Sequence, residues 1–82
     1  MGTKSEKRQQ NENEYELWIE KEDGGRIYSF EVQGKSGWKA RNVKEVDGNE
    51  VTLKFYQEIY DESDVLREIH EKYPIDIGHK KL

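Results

Sequence analysis

Cysteine is absent from this chain and proline occurs once, at Pro74. Without cysteine there can be neither a disulfide framework nor a thiolate zinc site to staple a small fold. Long apolar runs are missing as well, since only 32% of the 82 residues are hydrophobic. No stretch approaches the roughly 20 apolar residues that cross a bilayer, and the N-terminus lacks the apolar core of a signal peptide. Position 6 is Glu6, so the myristoylation pattern that begins at Gly2 fails. A cytoplasmic protein without a membrane contact is the expectation. Positive charge is in deficit, with 14 Lys and Arg against 18 Asp and Glu, net −4. That balance argues against general nucleic-acid binding, which needs clustered cations on phosphates.

Chemistry-bearing patterns are equally scarce. His70 and His79 are the two histidines, and Asp76 precedes His79 by three residues. No metal-ligand spacing accompanies them, so they read as surface histidines. Nucleophile-elbow, phosphate-loop and dinucleotide-binding glycine patterns are missing. The acidic runs Glu20-Lys21-Glu22-Asp23 and Asp61-Glu62-Ser63-Asp64 lie in the most polar parts of the chain. A catalytic carboxyl needs burial to shift its pKa, so these read as solvated turns. The expectation is a protein that is not an enzyme and needs no cofactor.

What is present is a β pattern. Val51, Leu53, Phe55, Gln57 and Ile59 alternate with Thr52, Lys54, Tyr56, Glu58 and Tyr60, the period of a half-buried strand. Asp47-Gly48-Asn49 before it is a hairpin turn. Trp38 and Ala40 share a face of the partner strand, but Val43 and Val46 fall out of phase, which a bulge near Arg41-Asn42 would partly restore. Upstream, Tyr15, Leu17 and Ile19 form an apolar face opposite Glu16, Trp18 and Glu20. After the turn Asp23-Gly24-Gly25, Tyr28, Phe30 and Val32 point inward and Ile27, Ser29 and Glu31 outward. Short turns join all four strands, so the reading is an antiparallel meander.

The ends are less regular. Residues 1–13 have no apolar residue after Met1 and read as a disordered arm, leaving 14–82 as a single small β-rich domain. Past Tyr60, Asp61 to Asp64 resemble an acidic helix cap, and Val65, Leu66, Ile69, His70 and Tyr73 make a helical stripe up to Pro74. The rival is an all-β fold with residues 65–73 as a fifth strand beside 55–60. Residues 75–82 read as irregular. A core this thin gains from a partner, so a monomer or weak homodimer is expected.

Aromatic residues and charge give the candidate site. Trp18, Trp38, Tyr56 and Tyr60 are placed so that several fall on outward or edge faces, where rings serve recognition. Lys35, Lys39, Arg41 and Lys44 form a basic stretch with no acid among them, whereas Glu58 to Glu71 holds six acids and one base. Trp38-Lys39-Ala40-Arg41-Asn42-Val43 and Val51-Thr52-Leu53-Lys54-Phe55, within residues 37–55, resemble the middle of a Tudor or related SH3-like barrel domain. The resemblance covers about a quarter of the chain. It implies a bent five-stranded barrel that binds methylated Lys or Arg in an aromatic cage, with Trp38 and Phe55 at cage positions.

The expected fold is α+β and mainly β: a four-stranded antiparallel meander or partly closed SH3-like barrel with a C-terminal helix. The expected function is a non-catalytic module that binds a protein or peptide through Trp38, Lys39, Arg41, Phe55, Tyr56 and Tyr60. Two alternatives stand beside it. One is a nucleic-acid contact domain using the basic hairpin 35–44, and the other an acidic inhibitor or antitoxin-like protein whose carboxylates mimic nucleic acid.

Overall fold

The computed structural model describes residues 3–76 and 78–82. Helix α1 (Lys4–Glu14) is followed by strands β1 (Leu17–Glu20), β2 (Arg26–Gln33), β3 (Lys39–Val46), β4 (Thr52–Tyr60), β5 (Leu66–Tyr73) and β6 (Gly78–Lys81). Each strand pairs antiparallel with the next, so sheet order equals chain order. The sheet stays open with β1 and β6 at its borders, which overturns the barrel expected from residues 37–55. The meander itself is present and runs two strands further than the four expected.

The expected C-terminal helix is replaced by β5, and the tail expected to be irregular carries β6. The reason lies in Asp61, whose Oδ1 accepts the N–H groups of Ser63 and Val65 at 2.8 and 3.1 Å. An aspartate that folds a tight turn in this way reverses the chain instead of capping a helix. Residues 47–51 use the same device: Asp47 Oδ1 accepts from Asn49 and Val51 at 2.8 and 3.0 Å. Asp47 and Asp61 each donate their own N–H to the fifth residue of the loop, Val51 and Val65. Glu50 and Asp64, the fourth residues, both adopt φ of 62°. The turn thus delivers residues 66–73 onto the open edge of β4, where they pair from Phe55–Tyr73 to Tyr60–Leu66.

Register also corrects the expected bulge. β3 pairs continuously with β2 through Arg41 and Asn42. The irregularity falls instead against β4, where Glu45 pairs with Lys54 and Val46 with Thr52, leaving Leu53 as the extra residue. Two further shifts in the β4–β5 pairing leave Lys72 and Arg67 unmatched. Extra residues of this kind increase local twist.

One side of the sheet carries α1, and residues opposite each other in register share a side. Trp18, Tyr28, Lys44 and Phe55 form one row on the helix side, with Glu20, Arg26, Val46 and Thr52 in the next. The apolar core lies here: Tyr28 and Val46 are fully buried and pack with Tyr15 and Phe30. Ring centroids of Tyr15 stand 5.6 Å from Tyr28 and 5.4 Å from Phe30. Of the inward set expected around β1, Tyr15 is buried, but Leu17 and Ile19 are reversed. Trp18 joins Tyr28 at 6.0 Å, and Leu17 and Ile19 remain 65% and 62% exposed on the other side.

Residues 4–13, expected as part of a disordered arm, lie in helix α1. Thr3 caps the helix by accepting the Glu6 N–H at 3.2 Å. No apolar residue docks this helix; a polar stripe with helical spacing, Arg8, Asn11 and Glu12, does so. The Glu50 carboxylate has no exposed side-chain surface. It accepts from Arg8 Nε at 2.9 Å, Asn11 Nδ2 at 3.1 Å and the Tyr28 hydroxyl at 2.7 Å. Lys44 donates to Asn11 Oδ1 at 2.9 Å, and Arg26 donates to Glu12 at 2.6 Å. Burial alone would raise the Glu50 pKa, but the bonds from Tyr28, Asn11 and Arg8 outweigh it and hold it below the ordinary carboxylate value.

Two outcomes follow from this anchor. Glu50→Gly relieves about 1 kcal/mol of left-handed backbone strain yet strands buried donors, at about 3 kcal/mol. A net loss of about 2 kcal/mol is expected in urea unfolding. Asp64→Gly relieves the same strain and loses an exposed ion pair with Lys39, so stability should hold or rise. The depressed Glu50 pKa gives the sign for pH. Its contribution is complete above the unfolded value near 4.5 and fades as pH falls through the lower folded value. Circular dichroism and amide exchange should show α1 loosening on acidification below that point, and Glu50→Gln should abolish that step.

Candidate interaction surface

The side of the sheet turned away from α1 has no covering element among the described residues. Four cross-strand rows compose it. Leu17, Ser29, Val43, Tyr56 and Glu71 form one, in which Ser29 and Val43 are buried among their neighbours; Glu31, Arg41, Glu58, Ile69 and Lys80 form the next. Lys39, Tyr60 and Leu66 continue toward one end, and Ile19, Ile27, Glu45 and Lys54 toward the other. Strand alternation makes this pattern, because the residues between them supply the helix side.

Four of the six candidate binding residues meet on this surface: Lys39, Arg41, Tyr56 and Tyr60. Lys39 Nζ lies 5.8 Å from the Tyr60 ring centroid and 2.9 Å from Asp64 Oδ1. The hydrogen bond to Asp64 raises the Lys39 pKa against the opposing effect of burial. Arg41 sits between Glu31 and Glu58 in register. Burial, and then the Glu58 charge, push the phenols of Tyr56 and Tyr60 up, so both remain neutral donors at physiological pH. Tyr56 also borders a shallow groove of about 300 Å³ with Lys54, Ile69, Glu71, Lys80 and Leu82.

Phe55 and Trp38 are not part of this surface. Phe55 shares the helix side with Tyr28 and Lys44, and Lys72 Nζ stands 5.4 Å from its ring. Trp38 lines a second groove with Arg67, Glu68, Lys81 and Leu82. Phe55 pairs with Lys44, six strand positions from Trp38, which separates the two rings by about 20 Å along the sheet. They do not form a cage. The basic stretch is likewise divided. Lys39 faces the open side with Asp64, while Lys44 turns to Asn11 on the other.

Three contributors escaped the sequence reading: Leu17, Ile19 and Ile69 all present apolar surface on the open side. Their alternation was visible, but its phase was set by Trp18 joining Tyr28, which hydropathy ranks cannot reveal. Elsewhere, His70 Nε2 lies 2.7 Å from Asp76 Oδ1 and the rings of His70 and His79 are 4.4 Å apart. Among the described residues no three His, Asp or Glu side chains converge on a possible metal position. No helix among them is long and apolar enough to cross a membrane.

No protein-family model matches this chain, and neither a curated protein nor a solved structure matches it. The surface geometry thus carries the functional argument. The half-buried state of Tyr56 has a measurable consequence. Tyr56→Ala should cost about 2 kcal/mol in thermal or urea unfolding, below the roughly 3–5 kcal/mol for a fully buried aromatic. Tyr28→Ala, which removes a fully buried ring and a Glu50 donor, should reach that higher range.

Proposed function

We propose that this chain is a non-catalytic protein-binding module whose docking surface is the sheet side opposite α1. The observation that carries the reading is the asymmetry of the sheet. Polar anchoring of α1 covers part of one side, and the other, which no element covers among the described residues, leaves Leu17 and Ile19 exposed and Tyr56 and Tyr60 half-buried. Tyrosines with exposed edges offer large contact area at low entropy cost. Charges of both signs, Glu31, Arg41, Glu58 and Lys80, lie in one row between them and would fix the partner's orientation. A protein or peptide fits this mixture better than a uniformly charged ligand does.

Site-specific photocrosslinking tests the reading. Benzoylphenylalanine replaces Ile19 or Lys80 on the open side, and Val32 or Gln57 on the helix side, in cells that make the protein. Discrete adducts are expected from the first pair and not from the second. Arg41→Glu should reduce those adducts without changing the melting temperature by more than a few degrees. Equal labelling from both sides, or adducts confined to the helix side, would remove the proposed surface.

A further inference from the structure

The two borders of the sheet differ in how they meet solvent. β6 carries Lys80 and Lys81 and follows two register irregularities in the β4–β5 pairing. Lysines on a border strand and local twist both discourage the addition of another strand. β1 has neither protection. Its four residues are Leu17, Trp18, Ile19 and Glu20, paired with β2 in unbroken register.

Backbone geometry shows which groups β1 leaves free. Lys21 donates its N–H to the Gly25 carbonyl at 2.9 Å where the β1–β2 hairpin closes. Hydrogen-bonded pairs alternate along an antiparallel ladder, so Ile19 and Leu17 bond to β2. The N–H and C=O groups of Trp18 and Glu20 therefore point away from the sheet. Among the described residues no strand pairs with that border.

Side chains around the border are patterned. Leu17 and Ile19 lie on the open side, 65% and 62% exposed. Trp18 and Glu20 alternate with them toward the helix side, and Glu16 precedes the strand at a bend, beside Leu17, Ser29 and Arg41. Glu14 and Glu22 flank the strand at its ends. Among the described residues Glu14, Glu16 and Glu22 make no ion pair, whereas Glu20 reaches Arg26 Nε at 2.9 Å. The Arg26 guanidinium already lies 5.2 Å from the Trp18 ring centroid, so this indole accommodates a cation.

We propose that the border of β1 is a strand-addition site for a partner segment in which Lys or Arg alternates with apolar residues. This rests on the reading of the chain as a protein-binding module and names the chemistry of its partner. In antiparallel addition, residues opposite Leu17 and Ile19 share the open side and are apolar. Residues opposite Trp18 and Glu20 share the helix side and are basic, and a basic residue also meets Glu16 at the strand's start. The main chain of Trp18 and Glu20 supplies the ladder hydrogen bonds, and the alternating side chains supply selectivity. Pairing β1 with a second β1 is disfavoured by charge, because the register that opposes Leu17 to Ile19 also opposes Glu16 to Glu20.

The test uses the full chain and two capped peptides flanked by glycine, Lys-Val-Lys-Val-Lys and Glu-Val-Glu-Val-Glu, followed by backbone amide NMR. The basic peptide should shift the amides of residues 16–20 and slow exchange at Trp18 and Glu20. Affinity should fall as salt rises, and Glu16→Lys should weaken binding roughly five-fold by replacing attraction with repulsion across the pair. The acidic peptide should not shift β1. Equal response to both peptides, or shifts centred on β6, would overturn the proposal. So would β1 amides already protected without peptide in a dimer seen by sedimentation, since a second copy would then be the occupant. Photocrosslinks from the open side that persist while the peptide leaves β1 unchanged would remove the strand-addition site alone. Peptide binding at β1 with a silent open side would remove the docking surface alone.

Discussion

The Glu50 carboxylate, withdrawn from water at a left-handed turn position, receives donors from α1 and from β2 together. Lys44 of β3 joins through Asn11, and Arg26 of β2 through Glu12. Burial works against the Arg26 charge, but Glu12, Tyr28 and Glu20 more than restore it, so its pKa stands above the ordinary value. Desolvated charges of this kind stabilise a contact only when their partners are in place, since a half-satisfied network is worse than none. The placement of α1 therefore depends on the geometry of the loop at residues 47–51. A glycine would fit that backbone better but could not hold the helix.

With polar docking on one side, apolar cohesion is concentrated in Tyr15, Tyr28, Phe30 and Val46. The strands beyond β3 have no comparable cluster beneath them. They are joined by ladder hydrogen bonds and cross-strand pairs: Gln57 with Asn42 at 3.3 Å, Lys72 over Phe55, and the tilted rings of His70 and His79. Pairs of this type contribute roughly 0.2–1 kcal/mol each. The half of the sheet containing β5 and β6 is consequently the part expected to open first in local unfolding. The proposed docking surface spans both halves, so a partner that covered it would also hold them together.

Sequence reading recovered what period-two alternation controls. The hairpins around Asp23-Gly24-Gly25 and Asp47-Gly48-Asn49 are present, as is the sharing of one side by Tyr56, Glu58 and Tyr60. It misjudged features decided by contacts distant in the chain. The stripe of Arg8, Asn11 and Glu12 has helical spacing, yet its meaning depends on Glu50 some forty residues away, and hydropathy gives such a stripe no weight. Val65, Leu66, Ile69, His70 and Tyr73 do match a helix, but the open edge of β4 and the Asp61 turn outweighed that local preference. In β1, alternation was legible and its phase was not. Both Trp18 and the pair Leu17 and Ile19 could fill an interior, and the packing of Trp18 against both Arg26 and Tyr28 decided which did.

An uncovered sheet side with exposed leucine, isoleucine and tyrosine invites indiscriminate association unless something opposes it. Here the apolar residues are interrupted by the charged row of Glu31, Arg41, Glu58 and Lys80, and the β6 border by its lysines. Like-charge contacts across a mismatched surface cost more than scattered apolar contacts return, so wrong partners are rejected before they pack. The same devices would also weaken a useful interface if they were uniform. They are not, because β1 combines its apolar side with unpaired backbone and carboxylates of a single sign. In the proposed strand addition, selectivity would therefore fall on the charge of the incoming segment, and affinity on the apolar rows that segment reaches.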